Sequence, residues 1–80
     1  MQLFVYYGKT FIIDVNDSDT VLTIKSIIND IEKIPVIYQI IVYNGKVLEN
    51  DNETLEFYKI NDNSTLYLRI RSGNMFKIKS

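Results

Sequence analysis

Apolar residues recur at every second position in several short stretches of the chain, and a period of two is typical of half-buried strands. The stretches that predict strands are residues 1–7, 11–15, 38–43, 46–48 and 65–71. Gly8 lies in the short connection between the first two of these stretches, which predicts a tight hairpin. Asn44-Gly45 is a strong turn signal between the third and fourth stretches and predicts a second hairpin.

A helical pattern separates the two predicted hairpins. Its apolar side consists of Val21, Ile24, Ile27, Ile28 and Ile31, which follow the spacing of an amphipathic helix. Thr20 is the expected N-cap, with Asp19 close to the positive end of the helix. The helix should end before Pro35, since proline disfavours helical geometry at the residue before it. Residues 54–58 predict one isolated helical turn.

The order strand, strand, helix, strand, short strand, strand predicts an α+β fold with one helix packed on one sheet. No repeat, linker or low-complexity segment interrupts this pattern before Arg71. The residues expected to face the core are Leu3, Val5, Phe11, Ile13, Val15, Val21, Ile24, Ile28, Ile41, Leu48, Leu55, Ile60, Leu66 and Leu68.

The composition disfavours several classes of function. A chain of 80 residues suffices for one small domain. It contains neither Cys nor His, so disulfides, thiolate nucleophiles, the usual general base and the usual zinc ligands are all missing. We therefore expect no enzyme, no catalytic residue, no metal site, no cofactor and no small-molecule substrate.

The charge balance and the absence of long apolar runs narrow the expected partners. Nine basic residues against ten acidic ones disfavour nucleic-acid binding, which normally needs a basic excess. No stretch has the length of a membrane span, and the first residues lack the layout of a signal peptide. The expectation is an intracellular protein, cytoplasmic or nuclear, without nucleic-acid or membrane partners.

Four fragments carry a more specific signal. They are residues 1–5 (MQLFV), 8–10 (GKT), 44–49 (NGKVLE) and 64–71 (STLYLRIR), and in this order and spacing they resemble ubiquitin along nearly its whole length. The resemblance implies a β-grasp fold, a mixed sheet of four to five strands packed on one α-helix. It also implies a ubiquitin-like domain over residues 1–72, followed by a tail or linker over residues 73–80.

The chain departs from ubiquitin directly after Arg71. Ubiquitin ends in a flexible arm with paired glycines, whose terminal carboxylate is activated for conjugation. Here the sequence reads Ser72-Gly73-Asn74, so Gly73 has no glycine beside it. This departure from ubiquitin implies a ubiquitin-like domain that is not conjugated to targets.

Ubiquitin is read mainly through an apolar patch on the outer side of its sheet, and the corresponding positions differ here. The predicted protein-binding residues are Ile40, Val42, Lys46, Val47, Tyr67, Arg69 and Arg71. Apolar residues form the centre and basic ones the rim, which favours a partner with apolar anchors flanked by acidic residues. The alternative is that these residues are part of the ordinary apolar share of a protein surface.

A second predicted surface corresponds to the surroundings of ubiquitin's exposed phenylalanine. It consists of Gln2, Phe4, Tyr6, Thr10 and Ile12. These residues predict either a second interface or a self-association surface. Aromatic cross-strand pairing that only stabilises the hairpin is an equally good interpretation.

Two lysines match ubiquitin lysines with known roles. Lys46 aligns with the commonest chain-linkage site and is the candidate modification site, although we favour a solvated hairpin lysine. Lys25 aligns with a buried lysine that has an acidic partner in the family. Asn50 replaces that partner, and the neighbouring Asp51 is a candidate substitute.

The leading hypothesis is a non-conjugating interaction domain that docks a larger protein onto a receptor of the ubiquitin–proteasome pathway. The first alternative is a divergent modifier that is conjugated to targets. The second alternative is a nucleic-acid- or membrane-surface-binding module that uses Lys46, Arg69, Arg71, Lys77 and Lys79.

Overall fold

The structure is a computed structural model, and it describes residues 1–71 of the chain. The predicted tail over residues 73–80 therefore lies outside the described residues. The elements are β1 (Gln2–Tyr6), β2 (Thr10–Asp14), α1 (Val21–Glu32), a 3₁₀ turn (Val36–Tyr38), β3 (Gln39–Tyr43), β4 (Lys46–Val47) and β5 (Thr65–Ile70). The predicted α+β class is confirmed.

The strands form one five-stranded mixed sheet in the order β2-β1-β5-β3-β4. Strands β1 and β5 pair in parallel, and the other neighbours pair antiparallel. The first and last strands within residues 1–71 thus lie side by side in the sheet. Helix α1 covers one side of it, which is the β-grasp arrangement that the resemblance implied.

Both predicted hairpins are present, and their turns have the expected backbone. Gly8 has a φ of +69° between β1 and β2. Between β3 and β4, Asn44 and Gly45 have φ angles of 54° and 80°. Positive φ at both central residues defines a type I′ turn, whose twist matches that of the flanking strands.

Helix α1 has the predicted start and end. The Thr20 side chain accepts a hydrogen bond from the Thr23 backbone N–H at 3.3 Å, as an N-cap should. The helix ends at Glu32, and Lys33 takes the left-handed conformation that often follows a helix, with φ of 60°. Pro35 then prevents the helix from continuing.

The buried side of α1 differs in one respect from the prediction. Ile31 belongs to the predicted apolar side of the helix but is 49% exposed, whereas Lys25, outside that apolar side, is only 7% exposed. Each residue rotates the helix by about 100°, so a buried side centred near Ile28 includes Lys25 on one flank. Ile31 lies on the opposite flank and in the last turn, where less of the fold covers it.

The core agrees closely with the predicted list. All apolar residues of the buried cluster were predicted to face inward. Phe11 is the one predicted residue outside the cluster, and it is partly buried and packs against it. The buried polar side chains are Lys25 and Gln39. Burial of apolar side chains from α1 and four strands in one cluster is the main contribution to stability.

The segment after β4 packs against the start of α1. Its backbone accepts hydrogen bonds from the first helical N–H groups, Val21 to Glu53 at 3.0 Å and Leu22 to Asp51 at 3.0 Å. The predicted helical turn near residues 54–58 is one hydrogen-bonded turn. It closes as a helix end does, with the Ile60 N–H donating to the Leu55 carbonyl.

Candidate interaction face

The side of the sheet that faces away from α1 carries apolar residues on all five strands. We call this surface the outer face. Its apolar members are Phe4, Tyr6, Ile12, Ile40, Val42, Val47 and Tyr67. Because side chains alternate along a strand, these residues are the outward neighbours of the buried core positions.

The strand register makes the outer face continuous. Phe4 lies opposite Ile12 on β2, and Val42 lies between Tyr67 on β5 and Val47 on β4. Tyr6 and Tyr67 are direct neighbours across the parallel β1–β5 pair. Their rings pack edge to face with centroids 6.0 Å apart. The two surfaces that were predicted separately, one around Val42 and one around Phe4, therefore form one continuous surface.

Exposure along this surface is high for large apolar residues. Ile12 is 57%, Tyr67 50%, Tyr6 45% and Val47 43% exposed, and the other apolar members are partly buried. Single exposed apolar residues are normal on any protein, but a contiguous band is typical of an interaction site. Because the exposed apolar residues are continuous, the band favours an interface over the ordinary apolar share of a protein surface.

Positive charge lies at one end of the outer face. Arg69 is exposed opposite Ile40, and the Arg71 side chain donates to the Ile37 carbonyl at 3.1 Å. Within residues 1–71, the ion pairs are those of the N-terminal amine, Lys9 and Lys25, so neither arginine is neutralised by a carboxylate. This arrangement suits a partner with acidic groups beside its apolar anchors.

Gln2 and Thr10 lie at the margins of the outer face. The Gln2 backbone N–H donates to the Asp62 carboxylate at 2.7 Å, and its side-chain amide donates to the Asn63 side chain at 3.1 Å. Gln2 is thus held by the loop before β5. Thr10 is exposed opposite Tyr6 at the edge strand β2.

Lys46 is not brought to the outer face, in contrast to the prediction. It pairs with Tyr43, while the next residue, Val47, pairs with Val42. Successive residues of a strand point to opposite sides, so Lys46 lies on the other side of the sheet from Val47. There it lines a groove together with Phe57. Its modification stays a prediction.

Sequence reasoning missed the buried Gln39 on the side of the sheet that α1 covers. The Gln39 side-chain amide donates to the backbone carbonyls of Lys25 at 2.8 Å and of Ile34 at 2.9 Å, which ties β3 to α1. The Lys25 ammonium lies 2.8 Å from the Asp51 carboxylate. Asp51 is therefore the acidic partner, as the resemblance suggested. The sequence signal that could have indicated this contact is the occurrence of Gln39 in an otherwise apolar strand.

No group of three or more His, Cys, Asp or Glu side chains in residues 1–71 could hold a metal ion. No helix in that range is long and apolar enough to cross a membrane.

Comparisons with known proteins agree with the fold. The profile of the Ubiquitin family matches residues 3–73. The chain is 39% identical over 56 residues to the Ubiquitin domain-containing protein DSK2 of Saccharomyces cerevisiae, covering 70% of this chain and 15% of that protein. It is 36% identical over 64 residues to Ubiquitin-like protein 4A of Xenopus tropicalis, covering 80% and 43%. The chain thus spans less than half of either relative.

Proposed function

The chain belongs to the ubiquitin family, and from this membership we propose that it is a non-conjugating interaction domain that docks a larger protein onto a receptor of the ubiquitin–proteasome pathway. The outer face is the proposed docking surface. The observation that carries the proposal is the continuous apolar band from Ile12 on β2 to Val47 on β4, with unpaired positive charge at one end.

The sequence after Arg71 supports the absence of conjugation. Conjugation needs a bare glycine pair that can thread through enzyme active sites without a Cβ clash. The residues that follow Arg71 are Ser72, Gly73 and Asn74, and no two glycines are adjacent anywhere in the 80 residues. The names of the relatives describe a ubiquitin domain and a ubiquitin-like protein, and both proteins are longer than this chain.

The chemistry of the outer face specifies what kind of partner it suits. Tyr6 and Tyr67 present broad, rigid apolar area, and aromatic residues are frequent anchors of binding energy. Arg69 replaces an aliphatic residue of ubiquitin, so a receptor built for ubiquitin would have to desolvate its charge without compensation. The domain should therefore prefer receptors that place an acidic residue opposite Arg69.

Binding tests the proposed surface directly. We would titrate the ¹⁵N-labelled chain with a purified ubiquitin-receptor subunit of the proteasome and follow backbone amide shifts. We expect shifts on β1, β3 and β5, and about a tenfold loss of affinity for Tyr67→Ala or Val42→Ala. Leu22→Ala is the matched control, because Leu22 is 40% exposed on the helix. Unchanged affinity in both outer-face variants would exclude this face as the interface.

A second assay separates docking from conjugation. Incubation with a ubiquitin-activating enzyme and ATP should yield no thioester adduct, since the 80 residues contain no two adjacent glycines. An adduct would establish the divergent-modifier alternative. The expected cytoplasmic or nuclear location stays a prediction.

A further inference from the structure

A groove lies on the other side of the β3–β4 hairpin from the outer face. Its volume is about 480 Å³, within the range of roughly 300–1,000 Å³ that is usual for ligand pockets. The residues that line it are Tyr43, Asn44, Lys46, Leu48, Phe57, Tyr58 and Lys59. We call it the Phe57 groove. Leu48 is almost fully buried, so Phe57 and the partly buried Tyr43 and Tyr58 supply the accessible apolar surface of the groove.

Phe57 is the most unusual residue of this groove. It is 60% exposed, although it is one of the largest apolar side chains in the protein. The backbone of its turn is held in part by a hydrogen bond that the Phe57 N–H donates to the Thr54 hydroxyl at 3.1 Å. Its ring packs edge to face on Tyr58, with centroids 5.2 Å apart and planes at 86°. An exposed aromatic ring that packs on a neighbouring ring is suited to anchoring a partner.

Both sides of the groove are held by tight turns. On one side, Asn44 and Gly45 form the type I′ turn of the hairpin. On the other, Lys59 has a φ of 59°, and its N–H donates to the Glu56 carbonyl at 3.0 Å. Surfaces that are ordered before binding lose less conformational entropy on binding. The two turns that flank the groove are defined in the structure of this chain alone.

The charge of the groove indicates what it binds. Lys46 lies on the hairpin side and Lys59 on the turn side, and no carboxylate is among the lining residues. Neither lysine forms an ion pair within the part of the chain that the structure describes. This local positive charge contrasts with a net charge of −1 for the whole chain.

We propose that the Phe57 groove binds an acidic peptide segment of a partner protein. An apolar side chain of the peptide packs on Phe57, and carboxylates on either side of it pair with Lys46 and Lys59. The residues after Ser72 do not have this chemistry, because they include Lys77 and Lys79 and no acidic residue. Since Lys46 and Val47 point to opposite sides of β4, the groove and the outer face can be occupied together.

A synthetic peptide tests the proposal independently of the outer face. The probe carries a central Leu-Phe pair between two aspartates and two glutamates, and it is titrated into the ¹⁵N-labelled chain. We expect amide shifts to concentrate at residues 43–48 and 57–59. Control peptides replace either the carboxylates by amides or the Leu-Phe pair by serines, and both should bind at least several-fold more weakly.

Variants assign the contacts. Phe57→Ala should weaken peptide binding about tenfold, and Lys46→Gln and Lys59→Gln about two- to fivefold each, as exposed ion pairs do. Tyr67→Ala should leave peptide affinity unchanged. An amide spectrum of each variant confirms that it is folded. The proposal is overturned if the peptide fails to bind, if its shifts map to the outer face, or if Phe57→Ala and both lysine variants bind it normally.

Discussion

Truncation of Ile28 to alanine offers the sharpest test of how α1 packs on the sheet. Ile28 is fully buried in the centre of the helix, among core residues of the strands. The transfer part of the cost is about 2.4 kcal/mol, since each buried methylene contributes about 0.8 kcal/mol. The cavity left behind raises the expected loss to about 3–4 kcal/mol, within the range of about 2–5 kcal/mol for such changes.

Ile31→Ala is the matched control, because it is the same substitution on the same helix. Ile31 is 49% exposed, so its truncation costs at most about half of the transfer free energy calculated for Ile28. It also leaves no closed cavity. Alanine also has a higher helix propensity than isoleucine, which offsets a few tenths of a kcal/mol of this loss. We expect Ile31→Ala to lower the free energy of unfolding by less than about 1 kcal/mol.

Urea unfolding followed by far-UV circular dichroism measures both losses. The chain contains no Trp, so the dichroism of the backbone is the more general signal. For a domain of this size, 3–4 kcal/mol corresponds to a decrease in Tm of roughly 12–30 °C. A similar loss for both variants, or a loss below about 1 kcal/mol for Ile28→Ala, would show that the buried side of the helix is wrongly assigned.

Two further changes test the buried ion pair and the second hairpin turn. Asp51→Ala should cost about 1–3 kcal/mol, because it leaves the nearly buried Lys25 ammonium unpaired, while Lys25→Met should change stability by less than about 1 kcal/mol. Chemical denaturation of both variants checks this, and a larger loss for Lys25→Met would contradict it. Gly45→Ala should cost about 1–2 kcal/mol from its φ of +80° alone, since no atom lies within 4 Å of where a Cβ would be. Thermal unfolding measures this loss, and one above about 3 kcal/mol would indicate a steric clash instead.

Much of the fold could be predicted because the signals are local. The Asn44-Gly45 turn needs only residues that tolerate positive φ, and the Thr20 cap needs only a hydroxyl beside the first helical turn. The inward positions follow from the period of each element, and this is why the predicted core agrees with the observed one.

The candidate site could be predicted only in part. Its apolar residues were recognised one strand at a time, but their union into one face depends on the parallel pairing of β1 with β5. That pairing joins Tyr6 to Tyr67, residues that are far apart in the sequence. The groove around Phe57 was missed entirely, because Phe57 and Lys46 lie on segments that meet only through the tertiary fold.

The sequence by itself determined the elements of this protein, their inward sides and the identity of the core, since hydrophobic periodicity and turn chemistry act over a few residues. The tertiary structure decided which exposed residues are neighbours, how Gln39 ties β3 to α1 and on which side of β4 Lys46 lies. Those relations come from strand pairing and from the orientation of α1 on the sheet. They arise between elements distant in sequence, so no local pattern in the chain encodes them.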